Sequence, residues 1–181
     1  MFAPRPSDVD RHEVILGVDP GLTRCGFAAL HARGATIDVV AMGVLTSPSD
    51  MDLAGRLAML HRDFESLLKE VRPHAVAVER VFFQSNVSTA MSVAQASGVV
   101  LALAASRRIP VVQYSPSQVK SAVAGSGNAD KLAVQKMVQR RLSLSSLPEP
   151  ADASDAAAIA LCHIAASPLA TRVGAAQGVT K

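Results

Sequence analysis

The chain has 181 residues, 49% of them hydrophobic and 18% charged, with a formal net charge of +3. That length fits one domain with a sizeable core, and the composition excludes a disordered chain. No apolar run reaches the ~18 residues of a membrane span, and the two cysteines, Cys25 and Cys162, stand without any CxxC or HxxxH pattern, which fits reduced thiols in the cytoplasm and argues against a zinc site.

Met1 to Arg11 is polar, carries two prolines and lacks an apolar signal core, so residues 1–13 are expected to form a disordered extension. Val14 to Val18 is almost wholly apolar and ends in Asp19, the pattern of a short buried strand with a carboxylate at its tip. Pro20-Gly21 forces a turn. Thr23–His31 and Thr36–Thr46 are two further strands around the Arg33-Gly34 turn, and the short separations predict an antiparallel meander. Ser49-Asp50 opens a helix whose Leu53, Leu57, Leu60, Phe64, Leu67 and Val71 share one face, and Arg72-Pro73 closes it. Ala75–Glu79 is a second buried strand with a terminal carboxylate. Val87–Ser106 is helical but apolar nearly all round, so it is expected to be covered on two sides, by the sheet and by a second copy of the chain. Val93 and Val100 are expected to face outward. Ile109–Gln113 is a strand, and Ser115-Pro116 starts a helix. Gly125–Asn128 is a flexible loop, and Asp130 caps a basic helix to Leu142. An Ala-rich helix follows from Asp152 to Ala166, then an unpatterned tail over 168–181 that is expected to be flexible. The order predicts an α/β domain over 14–167 built on a mixed sheet.

Asp19 and Glu79 each end a buried strand; on neighbouring strands about 4.8 Å apart the two carboxylates share a space. Asp152 and Asp155, three residues apart, share a helical face. Gathered like charges are costly unless a cation neutralises them, and all-oxygen donors select Mg²⁺ or Mn²⁺. Two such ions about 4 Å apart suit phosphodiester hydrolysis. The plainer reading of Asp152 and Asp155 is a helix cap and a charge suited to the helix dipole. Asp19 could equally do no more than open the Pro-Gly turn.

Charge is unevenly spread. From Arg80 to Pro148 eight basic residues, Arg80, Arg107, Arg108, Lys120, Lys131, Lys136, Arg140 and Arg141, meet one acid, Asp130. A stretch this basic points to a polyanion, most simply nucleic acid; a solvated basic face is the alternative.

The blocks Gly17-Val18-Asp19-Pro20-Gly21, Ala77-Val78-Glu79-Arg80-Val81-Phe82, Gln118-Val119-Lys120 and Ala151-Asp152-Ala153-Ser154-Asp155-Ala156 together resemble the RuvC family of bacterial Holliday junction resolvases, over roughly residues 14–166. The resemblance implies an RNase H-like fold, a mixed five-stranded sheet flanked by helices. It implies a homodimer, paired through the helix 87–106, that nicks two opposed strands of four-way junction DNA with Mg²⁺ (or Mn²⁺), two ions per site. It puts the metal-binding acids at Asp19, Glu79, Asp152 and Asp155, active-site lysines at Lys120 and Lys131, and a junction-contacting ring at Phe82. Arg80, Lys136 and Arg140 are the further basic residues expected on DNA. RuvA and RuvB, the branch-migration proteins, are the implied protein partners. Neighbouring residues of an extended segment point to opposite sides, so Phe82 is expected at the site and Phe83 in the core. Two alternatives stand beside this reading: a non-catalytic junction-binding protein of the same fold, and an actin-like ATPase, whose phosphate loops also use a strand followed by Asp-Pro-Gly.

Overall fold

A computed structural model of the chain describes residues 12–34, 36–80 and 87–177. Five strands and five helices lie among the described residues: β1 (His12–Asp19), β2 (Arg24–Arg33), β3 (Thr36–Thr46), α1 (Leu53–Val71), β4 (Ala75–Glu79), α2 (Val87–Ser106), β5 (Val111–Tyr114), α3 (Pro116–Ala124), α4 (Lys131–Arg141) and α5 (Ala151–Gln177). The strands form one sheet in the order β3-β2-β1-β4-β5. The first three make the antiparallel meander, and β4 and β5 join parallel to β1 through the crossovers of α1 and α2. This is the mixed α/β sheet that the sequence predicts.

Strand side chains alternate between faces, and the burial shows which helices each face meets. Leu16, Val18, Val76 and Val78 pack with Leu60, Phe64 and Leu68 of α1 and with Ala96, Val100 and Ala104 of α2. Ile15, Ala75 and Ala77 turn the other way, toward Val119 and Val123 of α3, Val134 and Val138 of α4, and the alanine-rich flank of α5. The domain is thus three layers, with α5 lying against the centre of the sheet.

Small side chains explain how α5 gets there. Gly17 pairs with Ala28 on β2 and with Ala77 on β4, which gives a stripe without bulk across three strands. A Cβ added to Gly17 would meet the Ala156 carbonyl oxygen at 2.1 Å, and one added to Gly26 would meet that of Asp152 at 2.1 Å. Only glycine leaves room for that approach. On the helix side Ala153, Ala156, Ala157 and Ala160 are all buried.

Several boundaries differ from expectation. β1 starts at His12, because His12 and Glu13 pair with Arg33 and Ala32; residues 1–11 lie outside the described residues. Asp52, not Ser49-Asp50, caps α1, its Oδ1 accepting from the Gly55 amide at 2.7 Å. β5 begins at Val111, since Arg108 adopts a left-handed conformation (φ 58°) and Pro110 has no amide hydrogen to give to a ladder. α5 runs to Gln177, beyond both Ala166 and Pro168; alanine remains frequent there and favours helix. Val100 is fully buried among α1 and the sheet and Val93 is partly buried, so neither faces outward. The outward line of α2 is Met91, Gly98, Ala102 and Ala105. A helix that is apolar on every side carries no periodic signal to distinguish those faces.

Candidate active site

The parallel register of β1 and β4 ends at Val18↔Val78, so Asp19 and Glu79 follow side by side at the carboxyl ends of neighbouring strands. They continue the alternation of Ile15-Gly17 and Ala75-Ala77, the positions that face α5. Asp152 and Asp155 sit in the opening turns of that helix. The contact of Gly26 with Asp152 therefore brings the helix acids over the strand acids.

Their fields overlap. Burial first, and then the charges of Glu79, Asp155 and Asp152, push the Asp19 carboxyl up to about 7, with Lys131 opposing. Burial and the Asp155 charge raise Glu79, opposed by Lys131 and Lys120. Four acids and two lysines thus act on one space. Lys131 donates from Nζ to Asp155 Oδ2 at 2.7 Å, and that bond is the main reason its own ammonium is held above the usual lysine range. Asp152 does not cap its helix: Ala151 precedes it within α5, and its Oδ2 accepts from Nε and Nη2 of Arg24, each at 2.8 Å.

The loop between Asp19 and Arg24 is tightly held. A Cβ on Gly21 would stand 2.1 Å from the Arg24 carbonyl oxygen. The buried Ser47 hydroxyl donates to the Leu22 carbonyl at 2.6 Å, and its amide donates to that of Thr23 at 3.2 Å. Arg56 of α1 donates through Nε to Ser47 Oγ at 3.0 Å and through Nη2 to Thr23 Oγ1 at 2.6 Å. Cys25, next along, is buried and its thiol is pushed up to about 12, so it is no nucleophile.

Arg24 and Arg56 escape a reading of the sequence. The signal for Arg24 is its parity: it shares with Gly26, Ala28 and Leu30 the face of β2 that meets α5. Lys136 and Arg140 are exposed on α4 one turn apart, and Arg80 is exposed just past Glu79. Arg107 belongs elsewhere, since it pairs with Glu65 of α1 at 2.6 Å. Phe82 and Phe83 lie outside the described residues.

All four acids offer hard oxygen donors, whose mutual repulsion a divalent cation would relieve, so by donor chemistry they fit Mg²⁺ or Mn²⁺. As the side chains stand, no three His, Cys, Asp or Glu among the described residues already form a closed cage. Two of the acids are instead held by Arg24 and Lys131.

A mixed sheet in this strand order, covered by helices on both faces and carrying carboxylates at the ends of its first and fourth strands, defines a protein of the RNase H-like fold. The family model described as "Crossover junction endodeoxyribonuclease RuvC" matches residues 15–163. A Nocardia farcinica protein named crossover junction endodeoxyribonuclease RuvC is 51% identical over 164 residues, which cover 90% of this chain and 87% of that protein. The structure of T. thermophilus RuvC in complex with Holliday junction substrate superposes with a TM-score of 0.84 at 35% identity, covering 88% of this chain and 98% of that one. The yeast mitochondrial Holliday junction resolvase, at 16% identity and a TM-score of 0.63, shares the fold. The chain belongs to the RuvC family of crossover junction endodeoxyribonucleases.

Proposed function

We propose that this chain resolves four-way DNA junctions by hydrolysing a phosphodiester in each of two opposed strands. One observation carries the reading: α5, seated on Gly17 and Gly26, brings Asp152 and Asp155 to the strand-end acids Asp19 and Glu79. The four carboxylates would hold Mg²⁺ or Mn²⁺, two ions per site. Such ions, when bound, lower the pKa of a water and neutralise charge on the reacting phosphate. Asp19 and Glu79 are fixed by strand backbones, which gives the precision that positioning demands. Lys131, anchored on Asp155, and Lys120, within the field of Glu79, supply positive charge where the phosphate gains negative charge. Replacing either lysine by Ala lowers the rate at saturating DNA; a change in affinity and salt dependence alone would make them positioning contacts.

Arg80, Lys136 and Arg140 bind backbone phosphates around the site, and Phe82 stacks on a base unpaired at the junction centre. A junction presents two symmetry-related strands, which suits a two-fold dimer paired through the outward line of α2. RuvA and RuvB are the expected protein partners and the cytoplasm the expected location; no helix among the described residues is long and apolar enough to cross a membrane.

The test is nicking of a synthetic four-way junction with and without Mg²⁺. Symmetric, Mg²⁺-dependent cuts are expected. Binding without cutting would make the chain a non-catalytic junction binder, and tight ATP binding would revive the actin-like reading.

A further inference from the structure

Asp152 is held through a single oxygen by two nitrogens of Arg24, each at 2.8 Å. Arg24 reaches it from the other end of the chain, at the mouth of β2. The backbone on both sides of Arg24 is fixed: Thr23 by Ser47 and Arg56, Cys25 by burial, Gly26 by the body of α5. Its side chain is 46% exposed. A rigid root with a long, half-exposed cation is built to swing, and a guanidinium is a good partner for a carboxylate and for a phosphate alike. Among the described residues the strand acids Asp19 and Glu79 have no ion-pair partner, so the cations are placed on the helix acids alone.

We infer that Arg24 is a resident counter-cation that competes with divalent ions for Asp152 and, once displaced, takes a phosphate of the bound DNA. The inference rests on the metal reading of the four acids. Two positive groups on one carboxylate repel each other, so an ion arriving at Asp152, even through its other oxygen, weakens the guanidinium's hold and favours its release. The nearest strong anion outside the acids is then the DNA backbone, which would itself be drawn to the vacated arginine. Arg24 thereby links metal loading to substrate binding: DNA, by drawing the arginine away, tightens the metal site, and by linkage the metal tightens DNA to the same degree. Arg24 is a positioning residue in this scheme, acting through Asp152 and through the DNA backbone.

The test measures Mn²⁺ affinity by calorimetry in the absence of DNA, and junction affinity as a function of salt, for wild type, Arg24→Gln and Arg24→Lys. Arg24→Gln should bind Mn²⁺ several-fold more tightly than wild type. It should also bind the junction more weakly, with the salt slope reduced by about one. Arg24→Lys keeps the charge and should stay near wild type in both, which separates a charge effect from a folding defect. Unchanged or weaker Mn²⁺ binding by Arg24→Gln overturns the competition, and an unchanged salt slope overturns the phosphate contact. If wild type itself takes up no Mn²⁺, the metal reading falls and takes this inference with it, a result distinct from either of the others.

Discussion

Gly17 lies directly beneath Ala156, so close that a Cβ on it would stand 2.1 Å from the Ala156 carbonyl oxygen and 2.7 Å from the Ala160 nitrogen. β1 and α5 therefore touch backbone to backbone. Gly26 repeats the contact under Asp152. Together the two glycines set how far the helix acids stand above the strand acids.

Gly17→Ala should lift α5 and cost both stability and rate. Overpacking of this kind costs roughly 1–3 kcal/mol, and a displacement of Asp152 and Asp155 by a fraction of an ångström weakens a site that depends on geometry. Thermal melting and junction cutting at a temperature where the variant stays folded would measure the two effects. A variant that melts and cuts like wild type would remove the glycines from the argument.

Asp19→Asn and Glu79→Gln should abolish cutting while leaving junction binding nearly intact, because an amide keeps the shape and loses the charge. Asp152→Asn and Asp155→Asn distinguish ligand from cap. Loss of a cap costs about 1 kcal/mol and spares activity. Since Asp152 bonds Arg24 and Asp155 bonds Lys131, the expected result is lost activity with little change in melting.

Asp19 also predicts a pH dependence. Its folded pKa, about 7, lies above the ordinary 3.8, so the native chain binds this proton more tightly than the unfolded chain does. The stability it contributes is complete below pH 3.8 and is lost as pH rises through about 7. Without divalent ions, Asp19→Asn should therefore melt above wild type at about pH 8 and lose that advantage near pH 4. Metal uptake must displace the same proton, so Mn²⁺ affinity should fall as pH drops below about 7 and release protons on binding. Affinity that is flat from about pH 8 to about pH 5 would exclude Asp19 from the metal site.

The strand ends were legible in the sequence because a Glu closing an apolar run has little local purpose, and Asp19, which could have served its Pro-Gly turn alone, lies beside Glu79 at the end of the neighbouring strand. The meander and the mixed sheet followed from element order, whereas the adjacency of β1 and β4 was only a condition there and is supplied by the pairing. Arg24 was not legible, because its partner Asp152 lies 128 residues away and an arginine opening a strand looks like ordinary solvated charge. Gly17 and Gly26 read as weak points of strands until the helix above them is known. The outward side of α2 was misread at Val100 because apolar residues surround the helix, and only packing against α1 and the sheet decides which are inside. Arg107 counted toward a basic stretch, yet Glu65 had claimed it.

If α2 pairs two copies of the chain, the residue to change is Met91, whose 55% exposure is the largest among the exposed big apolar side chains. Wild type should sediment at twice 18.8 kDa, and Met91→Glu should shift it toward the single mass with its melting little altered. Val100→Glu should instead unfold the domain, since it would bury a charge. A wild-type chain that is a fully active monomer would refute the pairing.

Phe82→Ala and Phe83→Ala test the stacking ring. The chain has five Phe, one Tyr and no Trp, so two adjacent rings after Glu79 are unusual. Phe82→Ala should melt near wild type and cut the junction poorly, the loss reflecting about 1–3 kcal/mol of base stacking. Phe83→Ala should lose about 3–5 kcal/mol of stability, as core truncations do. The opposite pattern would exchange the roles, and two unstable proteins of normal specific activity would leave no stacking ring at all.

Asp19 and Glu79 lie in the first half of the chain, while Asp152 and Asp155 ride on α5, the last of the described helices. During synthesis β1 to β5 leave the ribosome well before α5 does, at about 5–20 residues per second. On the proposed roles, no nascent chain that stops short of Asp155 holds all four acids, however much of its sheet has paired. The basic residues between Arg80 and Arg141 emerge earlier, so a nascent chain gains attraction for nucleic acid before it gains the means to cut it. The order of the chain itself acts as a safety catch, released only when α5 settles on Gly17 and Gly26.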